Sequence, residues 1–206
     1  MDLVVATSNE RKFKEIAEIL EDPGLRLLPW WCLSIGSLPT EDGQTFEENA
    51  AKKARVAAEL TGEVVLADDS GLEIEALGGM PGIHSARFAG ERADDEERNR
   101  CILELLKGVP PERRGARFRC VVAIAEPDGP LHLTAGICEG VIAPSPRGDH
   151  GFGYDPIFYL PEHGCTMAEL GLAVKNQVSH RARALAKAKG ILKSIINARG
   201  EAPLGA

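Results

Sequence analysis

The chain has 206 residues, 44% hydrophobic and 27% charged, an ordinary composition for a globular enzyme that buries a real core. Its formal net charge of −7 speaks against nucleic-acid binding, which needs a basic surface to displace counterions. No apolar run approaches the roughly 20 residues of a membrane helix, and Asp2 with the short run behind it is wrong for a signal peptide, so a soluble, cytosolic protein with no membrane partner is expected.

Residues 3–6 (Leu-Val-Val-Ala) form a short β-compatible apolar run and read as a buried strand. Asn9 caps a following helix whose buried face is Phe13, Ile16, Ala17 and Leu20, and Pro23-Gly24 ends it. Thr45 and Glu48 have capping-box spacing, and an alanine-rich helix runs from there to about Leu60. A second buried strand covers 64–67 and ends in Asp68-Asp69-Ser70-Gly71. The segment 78–82 is loop. Asp94 with Glu97 opens a helix that closes at Gly108. Residues 117–125 and 131–141 are strand-like, and Asp128-Gly129 between them signals a hairpin. A glycine- and proline-rich loop covers 144–154. Thr166 with Glu169 opens a short helix, and Ser179 caps the last one, with Ala182, Leu185, Ala188, Leu192 and Ile195 on its buried face. Strands alternating with helices, then a hairpin, predict an α/β protein with a mixed sheet. The domain is drawn over 1–197, with a flexible tail at 198–206. Cys32, Cys101, Cys120, Cys138 and Cys165 have no metal-site spacing; Cys101, Cys120 and Cys138, in apolar surroundings, read as buried free thiols.

The candidate chemistry begins at Thr7-Ser8-Asn9-Glu10-Arg11-Lys12, where a strand runs into a helix N-terminus, a ready anion site. Arg11 and Lys12 oppose the helix dipole, which an anionic ligand would reverse into attraction; Lys12 should then cost little stability when removed. His180 and Arg181 repeat the pattern in the first turn of the last helix, with Lys175 nearby. Asp68-Asp69 at a strand's carboxyl end suits magnesium coordination or activation of a water. Glu41-Asp42-Gly43 is a second acidic turn, before a helix bearing Lys52 and Lys53. The loop Gly151-Phe152-Gly153-Tyr154-Asp155-Pro156 combines flexible backbone with two aromatics able to stack a flat ring and fix it by hydrogen bonds.

Five blocks in this order, Thr7-Ser8-Asn9-Glu10-Arg11-Lys12, Thr45-Phe46-Glu47-Glu48-Asn49-Ala50, Ala67-Asp68-Asp69-Ser70-Gly71-Leu72 with Leu77-Gly78-Gly79-Met80-Pro81-Gly82, Gly151-Phe152-Gly153-Tyr154-Asp155-Pro156, and Lys175 with Ser179-His180-Arg181, resemble the inosine triphosphate pyrophosphatases, also called XTP/dITP diphosphatases, from Leu3 to about Leu192. The resemblance implies an elongated mixed sheet with flanking helices forming two lobes around a central cleft, and a homodimer. It implies magnesium-dependent hydrolysis of inosine and xanthosine triphosphates to monophosphate and pyrophosphate. It assigns the triphosphate to Thr7, Ser8, Asn9, Glu10, Arg11, Lys12 and Lys53, and the metal to Glu41 and Asp69, with Asp69 also the proton acceptor. It places Ser70, Phe152, Gly153, Tyr154, Asp155, Lys175, His180 and Arg181 around the nucleotide, the last two near the base. Thr40 departs from the pattern, standing where many relatives carry a second acid beside Glu41. The cluster Trp30-Trp31-Cys32 has no counterpart in the pattern. Two other readings are a pyrophosphatase for a modified pyrimidine or methylated nucleotide, and a nucleotide sensor without turnover. The intact Glu41, Asp68 and Asp69 favour an enzyme.

Overall fold

The computed structural model describes residues 1–200. Seven strands form one sheet in the order β2-β1-β3-β4-β5-β6-β7: β1 (Asp2–Val5), β2 (Arg26–Pro29), β3 (Val64–Ile74), β4 (Gly115–Ala125), β5 (Leu131–Ile142), β6 (Phe158–Leu160) and β7 (Cys165–Thr166). Five α-helices accompany them: α1 (Glu10–Ile19), α2 (Phe46–Thr61), α3 (Asp95–Leu105), α4 (Leu172–Val178) and α5 (His180–Gly200). β1 pairs in parallel with β2 and β3, while β5, β6 and β7 pair antiparallel. The sheet is mixed, as the alternation of elements predicts.

The chain divides into two compact units. Among the described residues the first holds 1–69, 121–135 and 183–200, and the second holds 70–120 and 136–182. The first unit buries the apolar runs of β1 and β3 on both faces, the alanines Ala50, Ala54, Ala57 and Ala58 of α2, and Ala184, Leu185, Ala188, Leu192 and Ile195 of α5. The second has its own core, in which Leu72, Ile74, Ile102, Phe118, Tyr154 and Phe158 are buried.

The helix starts follow from local hydrogen bonds. The Asn9 side chain accepts from the backbone N–H groups of Arg11 and Lys12. Asp94 and Glu97 close a full capping box, as do Thr166 and Glu169, although the latter opens only a three-residue 3-10 turn before α4. Thr45 accepts from Glu48 N–H, but the Glu48 carboxylate takes Gln44 N–H, so half of the expected box forms. Ser179 caps α5 through Ala182 N–H.

Several boundaries differ from expectation. β3 does not end at Asp68-Asp69 but runs on to Ile74. Leu72 and Ile74 are buried and Glu73 is not, so period-two alternation resumes after Gly71 and outweighs the turn signal of Ser70-Gly71. α3 stops at Leu105, three residues before Gly108. α5 runs to Gly200, past the boundary drawn at 197; the rest of the expected tail lies outside the described residues. β2 was not foreseen: four residues closed by a proline make a weak strand signal. Trp30 is buried and donates to Gly36 O at 2.9 Å, and Trp31 packs edge-on against Phe13 of α1 at 5.2 Å. Cys120 and Cys138 are buried as expected, whereas Cys101 is half-buried. Among the described residues no helix is long and apolar enough to cross a membrane.

Candidate active site

The first unit gathers an acid and lysine cluster. α2 contributes two side chains to it from one face, Asn49 and Lys53. Lys53 Nζ donates to Glu41 Oε1 at 2.5 Å and to the Asp68 carbonyl at 2.5 Å. Lys12 Nζ, from the first turn of α1, lies 3.0 Å from Asp68 Oδ2, and Asp68 is 1% exposed. Asn49 Nδ2 donates to Asp69 Oδ2 at 2.9 Å, while Asn49 Oδ1 accepts from Gly43 N–H at 2.8 Å. One asparagine thus ties Asp69 to the turn that carries Glu41. Lys52 fixes the same turn, through Asp42 at 2.6 Å and the Thr40 carbonyl at 3.1 Å. Gly43 leaves no room for a side chain, since an added Cβ would meet Asn49 Oδ1 at 2.7 Å.

These charges set each other's protonation. Burial works against the Lys53 ammonium, but the carboxylates of Asp68, Glu41 and Asp69 and the Glu41 hydrogen bond outweigh it and hold its pKa above the ordinary lysine value. Burial pushes the Asp69 carboxyl up to about 6; Glu41 adds to the rise, while Lys53, Lys12 and the Asn49 hydrogen bond oppose it. A carboxyl near 6 is poised to take a proton at neutral pH.

The α1 N-terminus differs from the open anion site expected there. Thr7 Oγ1 accepts from Asn9 N–H, and Asn9 occupies two of the first-turn N–H groups. The exposed side chains this end offers an anion are Ser8 and Arg11; Glu10 is also exposed but carries the opposing charge, and Lys12 points at Asp68. Lys12 is a counter-charge to a buried carboxylate, so the expectation that it can be removed at little cost is corrected.

The second unit holds a cation and aromatic cluster. In the loop 151–155, Asp155 Oδ2 accepts from Phe152 N–H at 2.8 Å and from Lys175 Nζ at 2.5 Å, with both side chains buried. Gly151 has a φ of +75°, and a Cβ there would lie 2.2 Å from Asp155 Oδ2, so the loop requires glycine at that position. Lys175 Nζ lies 4.8 Å and Arg181 Cζ 5.7 Å from the Phe152 ring centroid. Arg181, 2% exposed, donates to Ser70 Oγ at 3.2 Å. His180 stacks on Phe118 at 4.7 Å with an interplanar angle of 12°. Tyr154 is a correction: its ring is buried in the second unit's core and its hydroxyl donates to Ser85 O at 2.8 Å, so it anchors the loop rather than stacking a ligand. Burial also pushes the Tyr154 hydroxyl well above its ordinary pKa. The Phe152 and Gly153 N–H groups are likewise engaged within the unit, by Asp155 and Asp95.

A matching family model, the Ham1 family, covers residues 3–191. The chain belongs to the Ham1 family. Among its relatives, a dITP/XTP pyrophosphatase of Desulforamulus reducens is 54% identical over 200 residues, 95% of this chain and 97% of its own. One of Geobacter sulfurreducens is 53% identical over 192 residues, 91% of this chain and 94% of its own. A solved HAM1 protein from Coxiella burnetii superposes with a TM-score of 0.86 at 44% identity, covering 94% of this chain and 99% of its own. The Ham1 fold and the family resemblance read from the motifs therefore agree. The motif reading missed Asn49 as a link between acids and Lys52 as the clamp on their turn. Asn49 stands inside the quoted block Thr45-Phe46-Glu47-Glu48-Asn49-Ala50, but its partner Asp69 is 20 residues away.

Proposed function

We propose that this Ham1 chain hydrolyses deaminated purine nucleoside triphosphates, the inosine and xanthosine class, to monophosphate and pyrophosphate. The observation that carries the reading is the cluster of buried Asp68 and Asp69 with half-buried Glu41, interleaved with Lys12 and Lys53. Water attacks the α-phosphorus, the bond to the bridging oxygen breaks, and pyrophosphate leaves. Asp69 takes the proton from that water, and Asn49 holds its carboxylate for the transfer. Lys12 and Lys53 offset negative charge on the departing group.

Among the described residues no three metal-ligating side chains converge into a ready cage. Magnesium asks for less: one or two carboxylates, with water and substrate phosphates completing the shell. Glu41 and Asp69 fit that hard-oxygen requirement, and Lys53 already stands as a cation among the acids. When bound, magnesium would offset charge on the phosphates.

In the second unit, Ser70, Phe152, Lys175, His180 and Arg181 would read the purine. Arginine only donates hydrogen bonds, so a donor at position 6 accepts hypoxanthine or xanthine and mismatches adenine's amino group. Guanine shares the 6-oxo group and must be refused at its 2-amino position. The same reading carries a cytoplasmic homodimer, which light scattering on the purified protein tests. For the reaction itself, the test is phosphate release from inosine triphosphate in the presence of added inorganic pyrophosphatase. Release that requires the coupling enzyme supports the reading, and release without it means that a terminal phosphate is removed instead; because the coupling enzyme itself needs magnesium, the magnesium requirement is read from inosine monophosphate formed in its absence.

A further inference from the structure

The loop that carries Phe152 is held from outside the residues assigned to the nucleotide. Asp95 Oδ2 accepts from Gly153 N–H at 2.9 Å, and Asn99 Nδ2 donates to Gly153 O at 3.0 Å. Asp95 and Asn99 are four residues apart on α3 and so lie one above the other on a single helix face. Two side chains one turn apart grip both peptide groups of one glycine.

That glycine has a φ of +64° and no side chain to pack, so hydrogen bonds must define its place. Its neighbours are fixed separately, Phe152 N–H by Asp155 and Tyr154 through Ser85. Asp95 favours the helix by its place in the first turn and its pair with Arg98, but neither that role nor helix capping accounts for its bond to Gly153. The α3 N-terminus is already capped by Asp94 and Glu97, so Asp95 is not needed for that purpose. Its other oxygen takes Arg98 at 2.5 Å, and Arg98 donates in turn to Ala86 O at 3.1 Å, which holds the carboxylate in one orientation. Asn99 is 5% exposed, and its Oδ1 accepts no hydrogen bond from the described residues. An apolar residue would suit that burial better, so the asparagine stands there for its donor.

We propose that Asp95 and Asn99 are positioning residues for base recognition: they lock Gly153 and thereby fix the Phe152 ring against which the purine is read. The proposal rests on the function given above. It makes α3 a determinant of substrate selectivity although neither residue is assigned to touch the nucleotide.

The test measures kcat and KM separately for inosine triphosphate and ATP with the wild type, Asp95→Ala, Asp95→Asn and Asn99→Ala. Hydrogen exchange over peptides spanning 151–155 is followed in parallel. Asp95→Ala should raise KM for inosine triphosphate by about tenfold or more while kcat stays within about threefold, because misplacing a binding group weakens recognition before chemistry. The preference over ATP in kcat/KM should shrink and the loop should exchange faster. Asn99→Ala should act in the same direction. Asp95→Asn breaks the ion pair with Arg98 but keeps an oxygen for Gly153 N–H, so it should retain near-wild-type KM and selectivity. If Asp95 served helix packing alone, Asp95→Asn would be as harmful as Asp95→Ala and neither would alter the ratio of the two substrates. Folded Asp95→Ala and Asn99→Ala proteins with wild-type KM, selectivity and exchange overturn the proposal while leaving the function intact. A wild type that treats the two triphosphates alike removes the function reading and this proposal together, and is seen before any variant is made.

Discussion

The polar clusters of the two units each centre on buried charges, yet they handle charge in opposite ways. In the first, Glu41, Asp68 and Asp69 are interleaved with Lys12 and Lys53, and burial pushes one carboxyl, Asp69, up to about 6 against the pull of the two lysines. In the second, Lys175, His180 and Arg181 gather around aromatic rings, with Asp155 as the carboxylate paired to Lys175. A near-balanced cluster can change protonation and accept a metal or a phosphate with little rearrangement. A cation-rich cluster locked by stacking and by hydrogen bonds to a glycine loop suits selection by shape and donor pattern. Under the proposed function the contrast assigns proton transfer to one cluster and recognition to the other, so variants in the first should alter turnover and variants in the second should alter discrimination.

The sharpest break is Asp69→Asn. Asparagine keeps the shape and the Asn49 hydrogen bond but cannot take a proton or give the metal a charge, and kcat should fall by about a thousandfold or more. Its stability should move the other way. Asp69's folded pKa lies above its unfolded value, so the folded state gains a proton as pH falls through about 6; that stabilising contribution is full below the unfolded pKa and lost as pH rises through the folded one. At neutral pH the ionised form costs on the order of 3 kcal/mol, and the neutral amide should raise Tm in a thermal melt at pH 7. A lowered Tm would mean that the carboxylate holds the fold together, against this account.

Lys53→Ala should be the next largest effect. It removes the cation that Glu41, Asp68 and Asp69 share, so kcat/KM should drop by about a hundredfold and Tm should fall, since breaking a buried pair leaves uncompensated carboxylates. The opposite Tm signs of Lys53→Ala and Asp69→Asn form one test, read from two melts. A smaller effect is expected from pH. The log of kcat/KM should be flat above about pH 7 and fall with unit slope below about 6 as Asp69 protonates, with the acid limb absent from the residual activity of Asp69→Asn.

What the sequence made legible was local. The caps at Asn9, Asp94, Thr166 and Ser179 bond to groups two or three residues away, and their spacing alone announces them. The long buried faces of β1, β3 and α5 follow from apolar runs and helical periodicity. The candidate site residues were read as types in a familiar order, but their partners in the fold were not. Lys12 meets Asp68, Asn49 meets Asp69 and Asp95 meets Gly153 across stretches of chain that no spacing rule spans. For the same reason Lys12 looked like a free cation opposing its helix, and Tyr154 like a stacking ring. Ser70-Gly71 misled because a serine and a glycine usually mark a turn, whereas here the strand continues through them into Leu72 and Ile74. The short strands β2, β6 and β7, of two to four residues, carry too few positions for alternation to be seen.

The measurement that bears most directly on the central claim is kcat/KM for the triphosphates of inosine, xanthosine, adenosine and guanosine, with the wild type and Arg181→Ala side by side. Buried donors that face the wrong partner are costly, so the wild type should favour the inosine and xanthosine substrates by at least about a hundredfold. Arg181→Ala should narrow the gap to ATP more than it slows the reaction with inosine triphosphate. Equal hydrolysis of ATP and inosine triphosphate by the wild type would contradict the account.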